Sequence, residues 1–354
     1  MRSAIQRRSQ GTQGRIMSGS LTLLIGSAMV SLLNLFYNVG VARLLGPIAF
    51  GEAAAVYTLL MLLSCITLSF QLVCAKFVAK NETAGAKAAV YLGLRRRAWV
   101  VGIAIAALLI LASGPISAYL NLHSSRLVIL LAIGTAFYIP LGVRRGGMQG
   151  IYALRRLAAN YVIEGVVKLG GAILLIELGL GVEGAIAAVT ASEVVAYAFG
   201  HPGGELEAAA EPGLPASFGE GIQAIVFFIG QVVINNVDII LVKHFFTAEA
   251  AGLYAAAALV GRVVYMSSWS VVSAMFPISA GIRGGEEQKN DVLLTPLLIV
   301  LLITGGFTVG LWLFPNLVWR AVFGAGFIHQ NLSFYSSLLV LYAAATGVYS
   351  LSVV

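Results

Sequence analysis

The sequence predicts an all-α polytopic membrane protein, and three observations carry that prediction. The chain is 59% hydrophobic and only 10% charged, with a mean hydropathy of +0.92, against roughly 25% charged residues in a soluble domain. Apolar stretches of about 20 residues recur along nearly its whole length, each enough to cross roughly 30 Å of hydrocarbon as a helix. Lys and Arg sort to alternate connections. With the N-terminus in the cytoplasm, roughly sixteen of them fall inside, from Arg2 to Lys289, and only Arg43, Arg126, Lys243 and Arg320 outside. That positive-inside bias sets the orientation and accounts for the net charge of +7 without a nucleic-acid partner.

The expected helices, in order, are about 19–42, 52–79, 91–113, 125–143, 158–180, 184–200, 218–242, 252–281, 293–314 and 333–354, about ten in all. The first follows the basic stretch "MRSAIQRRSQGTQGRIMSGS". Its apolar run is too long for a signal-peptide core and lacks a small-residue cleavage site, so it reads as an uncleaved span. Cys65 and Cys74 both fall in the second helix. Nine residues of helix separate them by about 13 Å and half a turn, which excludes a disulfide between them and leaves packing as their use. His123, His201, His244 and His329 are scattered over separate connections without ligand spacing, so no metal or other cofactor is expected.

The sizeable hydrophilic linker is "HPGGELEAAAEPGLPASFGE", 201–220, rich in Gly, Pro and Glu. Shifted by about 200 residues, the first half overlies the second: Asn34 on Asn235, Gly51 on Gly252, Arg43 near Lys243 and Pro115 on Pro315. The common offset points to an internal duplication. It predicts an N-terminal lobe of six helices (1–200), a cytoplasmic linker (201–217) and a C-terminal lobe of about four helices (218–354). The two lobes would be related by a pseudo-twofold axis along the membrane normal. Six helices in one lobe against four in the other would make the second incomplete, the expectation for either a natural short form or a fragment.

Ionisable residues inside a bilayer cost about 2.5–3.5 kcal/mol each on insertion scales and usually face a cavity or a partner. Lys168, Glu193 and Arg262 lie near mid-depth of their helices. Asn160, Glu164 and Lys168 share one face of the fifth helix, and Glu before Lys at i+4 is the favourable order for an ion pair; a self-neutralising pair and a coupling role both remain open. Glu193 shares its face with Thr190 and Tyr197, fitting either coupling or hydrogen-bonded packing. Arg262 has no acidic residue within a turn, while Tyr265 and Trp269 follow on its face. A guanidinium among aromatics suits an anionic phosphate beside a sugar ring, the alternative being a charge pair with a neighbouring helix. Gln231, Asn235 and Asp238 form a polar stripe on the seventh helix, and Ser27, Ser31, Asn34 and Asn38 form one on its repeat partner. The stripes line a shared aqueous cleft, or else hydrogen-bond between helices, with Asp238 snorkelling to the surface. In the series Gly142, Gly146, Gly150, close helix packing competes with a turn, since Arg144 and Arg145 mark the membrane edge there. No GxxxxGK[ST] occurs, which argues against ATP hydrolysis by this chain.

Several segments resemble a known family. "VGVARLLGPIAFGEAAAVYTLL" and "NNVDIILVKHFFTAEAAGLYAAAALVGRVVYMSSWSVVSAMFPISA" are similar to the repeat signatures of the polysaccharide transporter branch of the multidrug/oligosaccharidyl-lipid/polysaccharide exporter superfamily. "GPISAYLNLH" and "FPNLVWRAVFGAGF" look like its helix-three and helix-nine exits. The resemblance implies a flippase, not an enzyme, that moves a polyprenyl-diphosphate-linked oligosaccharide across the bacterial inner membrane by alternating access, for O-antigen, lipopolysaccharide or exopolysaccharide synthesis. Membrane lipids, a polysaccharide polymerase and glycosyltransferases would be its partners. Arg262, with Lys168, would hold the diphosphate, and Asn34, Asn38, Gln231, Asn235, Asp238, Tyr265 and Trp269 the saccharide, while Glu164 and Glu193 would couple. The rival readings are a multidrug or cation antiporter of the same superfamily, which wants an acidic aromatic cavity, a membrane glycosyltransferase or polymerase, which normally needs a substantial extramembrane catalytic loop, and an inactive truncated remnant.

Overall fold

The computed structural model describes residues 2–207, 209–211, 218–281, 286–328 and 332–353, with side chains described outside 2–25, 27, 205, 207, 218, 220, 227, 265–281, 286–293, 295, 296, 332 and 349–353. Every regular element among them is helical. The expected linker is therefore described only in part, and Arg283 and the side chains of Tyr265, Trp269 and Lys289 lie outside what is described.

The elements follow the apolar runs. They are α1 (Arg2–Lys80), α2 (Ala84–Leu111), α3 (Ser113–Tyr119), α4 (Arg126–Gly150), α5 (Leu154–Leu175) and α6 (Gly181–Phe199), then α7 (Phe218–Phe245), α8 (Ala248–Gly281), α9 (Glu286–Leu313), α10 (Pro315–Val318) and α11 (Leu332–Val353). The first two expected helices are one assigned element broken at Gly46, whose φ of 74° leaves the helical region just before Pro47. Only glycine takes that φ cheaply, and proline cannot donate the next helical hydrogen bond. Gly179 (φ 87°) and Gly181 (φ 53°) separate α5 from α6 in the same way.

Four helices are long and apolar enough to cross a membrane among the described residues, or up to six if each bent pair is one span. Ala28–Lys80 and Leu154–Phe199, of 53 and 46 residues, each exceed what one crossing needs by about a factor of two. The bent pairs are α2 with α3, turned by 63°, and the end of α9 with Pro315–Phe323, turned by 90°. Pro115 and Pro315, matched by the sequence offset, both sit in the short segment after the bend. The chain is a multi-pass membrane protein.

Two compact units emerge. The first comprises 1–44 and 52–244, the second 45–51 and 245–354. In the first, α2 packs on α4, α4 on α6 and α5 on α6. Its core joins Val73, Cys74, Phe77 and Val78 of α1 to Val90, Tyr91, Leu94 and Ala98 of α2 and Ile139 and Val143 of α4. The glycine series on α4 is a packing groove, not a turn: a Cβ on Gly146 would come within 2.8 Å of Cys74, and one on Gly150 within 2.7 Å of Val78. α4 thus runs to Gly150, two turns beyond the expected end at 143. Both cysteines are free and buried.

In the second unit α8, α9 and α11 pack against one another, and the aromatic cluster Phe50, Trp319, Phe323 and Phe327 is fully buried. Gly51 and Gly252, equivalent by the sequence offset, lie against each other here: a Cβ on Gly51 would approach Gly252 N to 2.9 Å, and one on Gly252 would run into the Pro47 carbonyl.

Candidate functional site

The first unit buries an ionisable network within the bundle of α1, α4, α5 and α6. The fifth-helix face predicted from sequence is there, but its charges pair differently. Glu164 makes its ion pair with Arg145 of α4 rather than with Lys168, one turn away on its own helix. Geometry explains the correction: Arg145, placed by sequence at a membrane edge, continues α4 and is only 4% exposed. Its Nε donates to Asn160 Oδ1 at 2.8 Å, and its guanidinium lies 4.0 Å from the Tyr161 ring centroid. A rigid fork with an amide, a carboxylate and a ring to engage outcompetes a flexible ammonium. Asn160 completes the arrangement by donating to the Ala196 carbonyl of α6 at 2.7 Å.

Lys168, 3% exposed, turns instead toward α1. Its Nζ donates to Asn34 Oδ1 and, at 3.3 Å, to the Tyr57 hydroxyl. It sits 5.5 Å and 5.3 Å from the ring centroids of Tyr37 and Tyr57, a cation held by π faces. The buried Tyr37 hydroxyl donates to the Ala185 carbonyl of α6 at 3.3 Å. Asn34 of the first-helix stripe and Lys168 thus belong to one cluster.

Glu193 of α6 is treated differently. It is 1% exposed, and neither carboxylate oxygen has a hydrogen-bond partner among the described residues. Its expected neighbours look elsewhere: Thr190 donates to the Leu130 carbonyl at 2.7 Å, and the Tyr197 hydroxyl accepts from Trp99 Nε1 at 3.0 Å. Gly134 of α4 makes room for this carboxyl group, since a Cβ there would collide with Oε2.

The two polar stripes show a shared local habit. Asn38 Nδ2 donates to the Asn34 carbonyl at 2.8 Å, and Asn235 Nδ2 to the Gln231 carbonyl at 2.7 Å. Each amide keeps its carbonyl oxygen for another donor. Gln231, Asn235 and Asp238 are half-buried on α7, whose other faces expose Val226, Ile229 and Ile234. Arg262 is half-buried on α8 in the second unit.

Sequence reasoning missed two features. Arg145 was one, since only its position in a continued helix brings it inward. The other is a chain of charge at the α3–α4 connection, where His123 Nδ1 meets Glu52 and Nε2 lies 3.0 Å from Glu183. The hydrogen bond to Glu52, then that to Glu183, raises the His123 pKa. Lys243, counted on the outer rim, is instead 1% exposed, near Glu52. Among the described residues no group of three or more His, Cys, Asp or Glu is arranged to hold a metal ion.

No family model matches the sequence, and no curated protein does. Solved structures do. The inward-facing conformation of a multidrug resistance MATE family transporter of the MOP superfamily is 14% identical, with a TM-score of 0.70 over 91% of this chain and 80% of that one. A MATE crystal structure in complex with MaD3S is 16% identical, with a TM-score of 0.60 over 95% and 81%. A MOP superfamily transporter from Pyrococcus furiosus Vc1, described by the reverse polarity of its binding pocket, is 16% identical, with a TM-score of 0.54 over 95% and 84%. At these identities the likeness concerns architecture, and the chain has the fold of the MATE-family transporters of the MOP superfamily.

Proposed function

We propose that the chain is a secondary transporter that works by alternating access and exports an amphipathic organic solute in exchange for protons. One observation carries this reading: three buried ionisable side chains, Arg145, Lys168 and Glu193, and a fourth that is half-buried, Glu164, sit inside an apolar bundle of MATE-like fold. Such groups are expensive in a membrane and ordinarily mark an ion or substrate pathway. Three of the four have partners, whereas the Glu193 carboxyl has no hydrogen bond. A buried carboxyl group without a donor sheds its charging cost by carrying a proton, which makes Glu193 the proposed carrier of the coupling proton. Glu164, fixed by Arg145, then sets the local field. The first two neighbours, a multidrug resistance transporter and a MATE transporter, support the drug-export reading.

A second reading stays in view because of the cations. Lys168 is buried among tyrosines and Arg262 is half-buried on α8, which suits an anionic diphosphate better than a cationic drug. The fold accommodates more than one pocket polarity, as the Pyrococcus furiosus protein's description indicates. In this version a lipid-linked oligosaccharide is flipped, with Arg262 and Lys168 on the diphosphate. Asn34, Asn38, Gln231, Asn235, Asp238, Tyr265 and Trp269 would contact the saccharide.

Proteoliposomes holding the intact chain decide between them. Efflux of a fluorescent organic cation under an imposed pH gradient, lost in Glu193→Gln, is the expected result. Translocation of a fluorescent lipid-diphosphate oligosaccharide that depends on Arg262 or Lys168, without cation efflux, would replace the first reading with the second. Neither activity from a folded chain would overturn both.

A further inference from the structure

A groove on the first unit has no role in this mechanism. It holds about 700 Å³, within the range of ligand sites. Its walls come from α1 (Phe70, Val73), α2 (Leu94, Val100) and the start of α7 (Ile222, Ile225), and they are overwhelmingly apolar. Arg96 and Arg97 also line it. We propose that this groove seats one anionic diacyl phospholipid, an acyl chain against the apolar walls and the headgroup phosphate on Arg96 and Arg97.

Three observations argue for that occupant. First, the arginines are available. Arg95 lies against the Tyr91 ring, 5.4 Å from its centroid, whereas Arg96 and Arg97 are exposed and have no ion pair among the described residues. Second, they stand where a headgroup would. Beyond them α2 presents exposed Val100, Ile103, Leu108 and Leu111, an apolar face suited to lipid tails. Trp99, beside the arginines, supplies the aromatic marker common at a membrane interface. Third, the charge is one-sided among the described residues: no acidic side chain there lines the groove, and its charged lining groups are two guanidiniums. Basic pockets between membrane helices on the cytoplasmic side hold phosphate headgroups, with roughly 1 kcal/mol for each Lys or Arg near an anionic surface. That corresponds to about fivefold in affinity for each guanidinium. Arginine's fork also suits a phosphate better than a point charge would.

The test is native mass spectrometry of the intact chain released from micelles holding phosphatidylglycerol and phosphatidylcholine of identical chains in equal amounts. The wild type is expected to retain one phosphatidylglycerol in preference to phosphatidylcholine by about tenfold or more, and Arg96→Gln/Arg97→Gln to bring the two near parity. Ile222→Trp, which fills the apolar wall and spares the arginines, is expected to reduce retention of phosphatidylglycerol itself. Equal retention of both lipids by the wild type, or a preference unchanged in the double variant, would overturn the proposal. So would displacement of phosphatidylglycerol by sub-stoichiometric polyprenyl diphosphate, which would make the groove a seat for a prenyl-linked substrate instead.

Discussion

α5 and α6 pack together in one bundle, and each carries a carboxylate into it, yet the two are provided for in opposite ways. Glu164 on α5 is clamped by Arg145, which is itself held by Asn160 and Tyr161. Glu193 on α6 has no hydrogen-bond donor, and the glycine facing it, Gly134, leaves space but no polar partner. A clamped carboxylate keeps one protonation state and serves the architecture. A carboxyl group left without donors is free to exchange its proton as the bundle changes state. In the proposed mechanism, that difference gives structure to one helix face and coupling to its neighbour.

Breaking the clamp should have the largest effect. Arg145→Met leaves Glu164 half-buried and uncompensated, and losing one member of a buried ion pair costs up to about 3–5 kcal/mol. Unfolding in detergent should shift by about that amount. Arg145→Met/Glu164→Gln should recover much of it, because the orphaned charge goes too. A single variant as stable as the wild type would show that the pair contributes nothing and that the contrast is false.

Glu193→Gln is expected to do the reverse. No hydrogen bond is lost, so stability should change by about 1 kcal/mol or less, while pH-driven transport disappears. Gly134→Ala sharpens the point. Its methyl group would collide with the Glu193 carboxyl group, so the side chain must move. Coupling should weaken although residue 193 is unchanged. If Glu193→Gln destabilises as much as Arg145→Met, Glu193 is a structural residue.

Helix existence was legible because hydrophobic length and punctuation are local. The Gly46–Pro47 break, the Gly179 break and the bends near Pro115 and Pro315 all fall where the chain carries helix breakers. The common offset of about 200 residues is local information of the same kind, and Gly51 and Gly252, which it matches, lie against each other. Partner choice was not legible. The i, i+4 spacing of Glu164 and Lys168 suggested a pair, but intrahelical spacing says nothing about what a neighbouring helix offers, and α4 offers Arg145. The continuation of α4 past 143 was not legible either, because composition cannot say which face of a continued helix a residue takes. Arg144 lies 3.7 Å from the Tyr197 ring centroid while Arg145 turns to Glu164.

The smallest expected effect concerns a third carboxylate arrangement, outside the spans, where the histidine at the α3–α4 connection joins two acidic side chains. His123 is bridged to Glu52 and Glu183, and these hydrogen bonds raise its pKa. A folded-state pKa above the unfolded value, about 6.5, means the stabilisation is fully present below that pH. It is lost as pH rises through the folded-state value. His123 is 45% exposed, so solvent screening limits the gain to about 1 kcal/mol or less. The melting temperatures of wild type and His123→Ala should therefore differ most in mildly acidic buffer and converge on the alkaline side. A gap that is constant with pH would mean the imidazole acts by packing. A gap that widens with pH would mean that it is the neutral ring, not the cation, that bridges the two carboxylates.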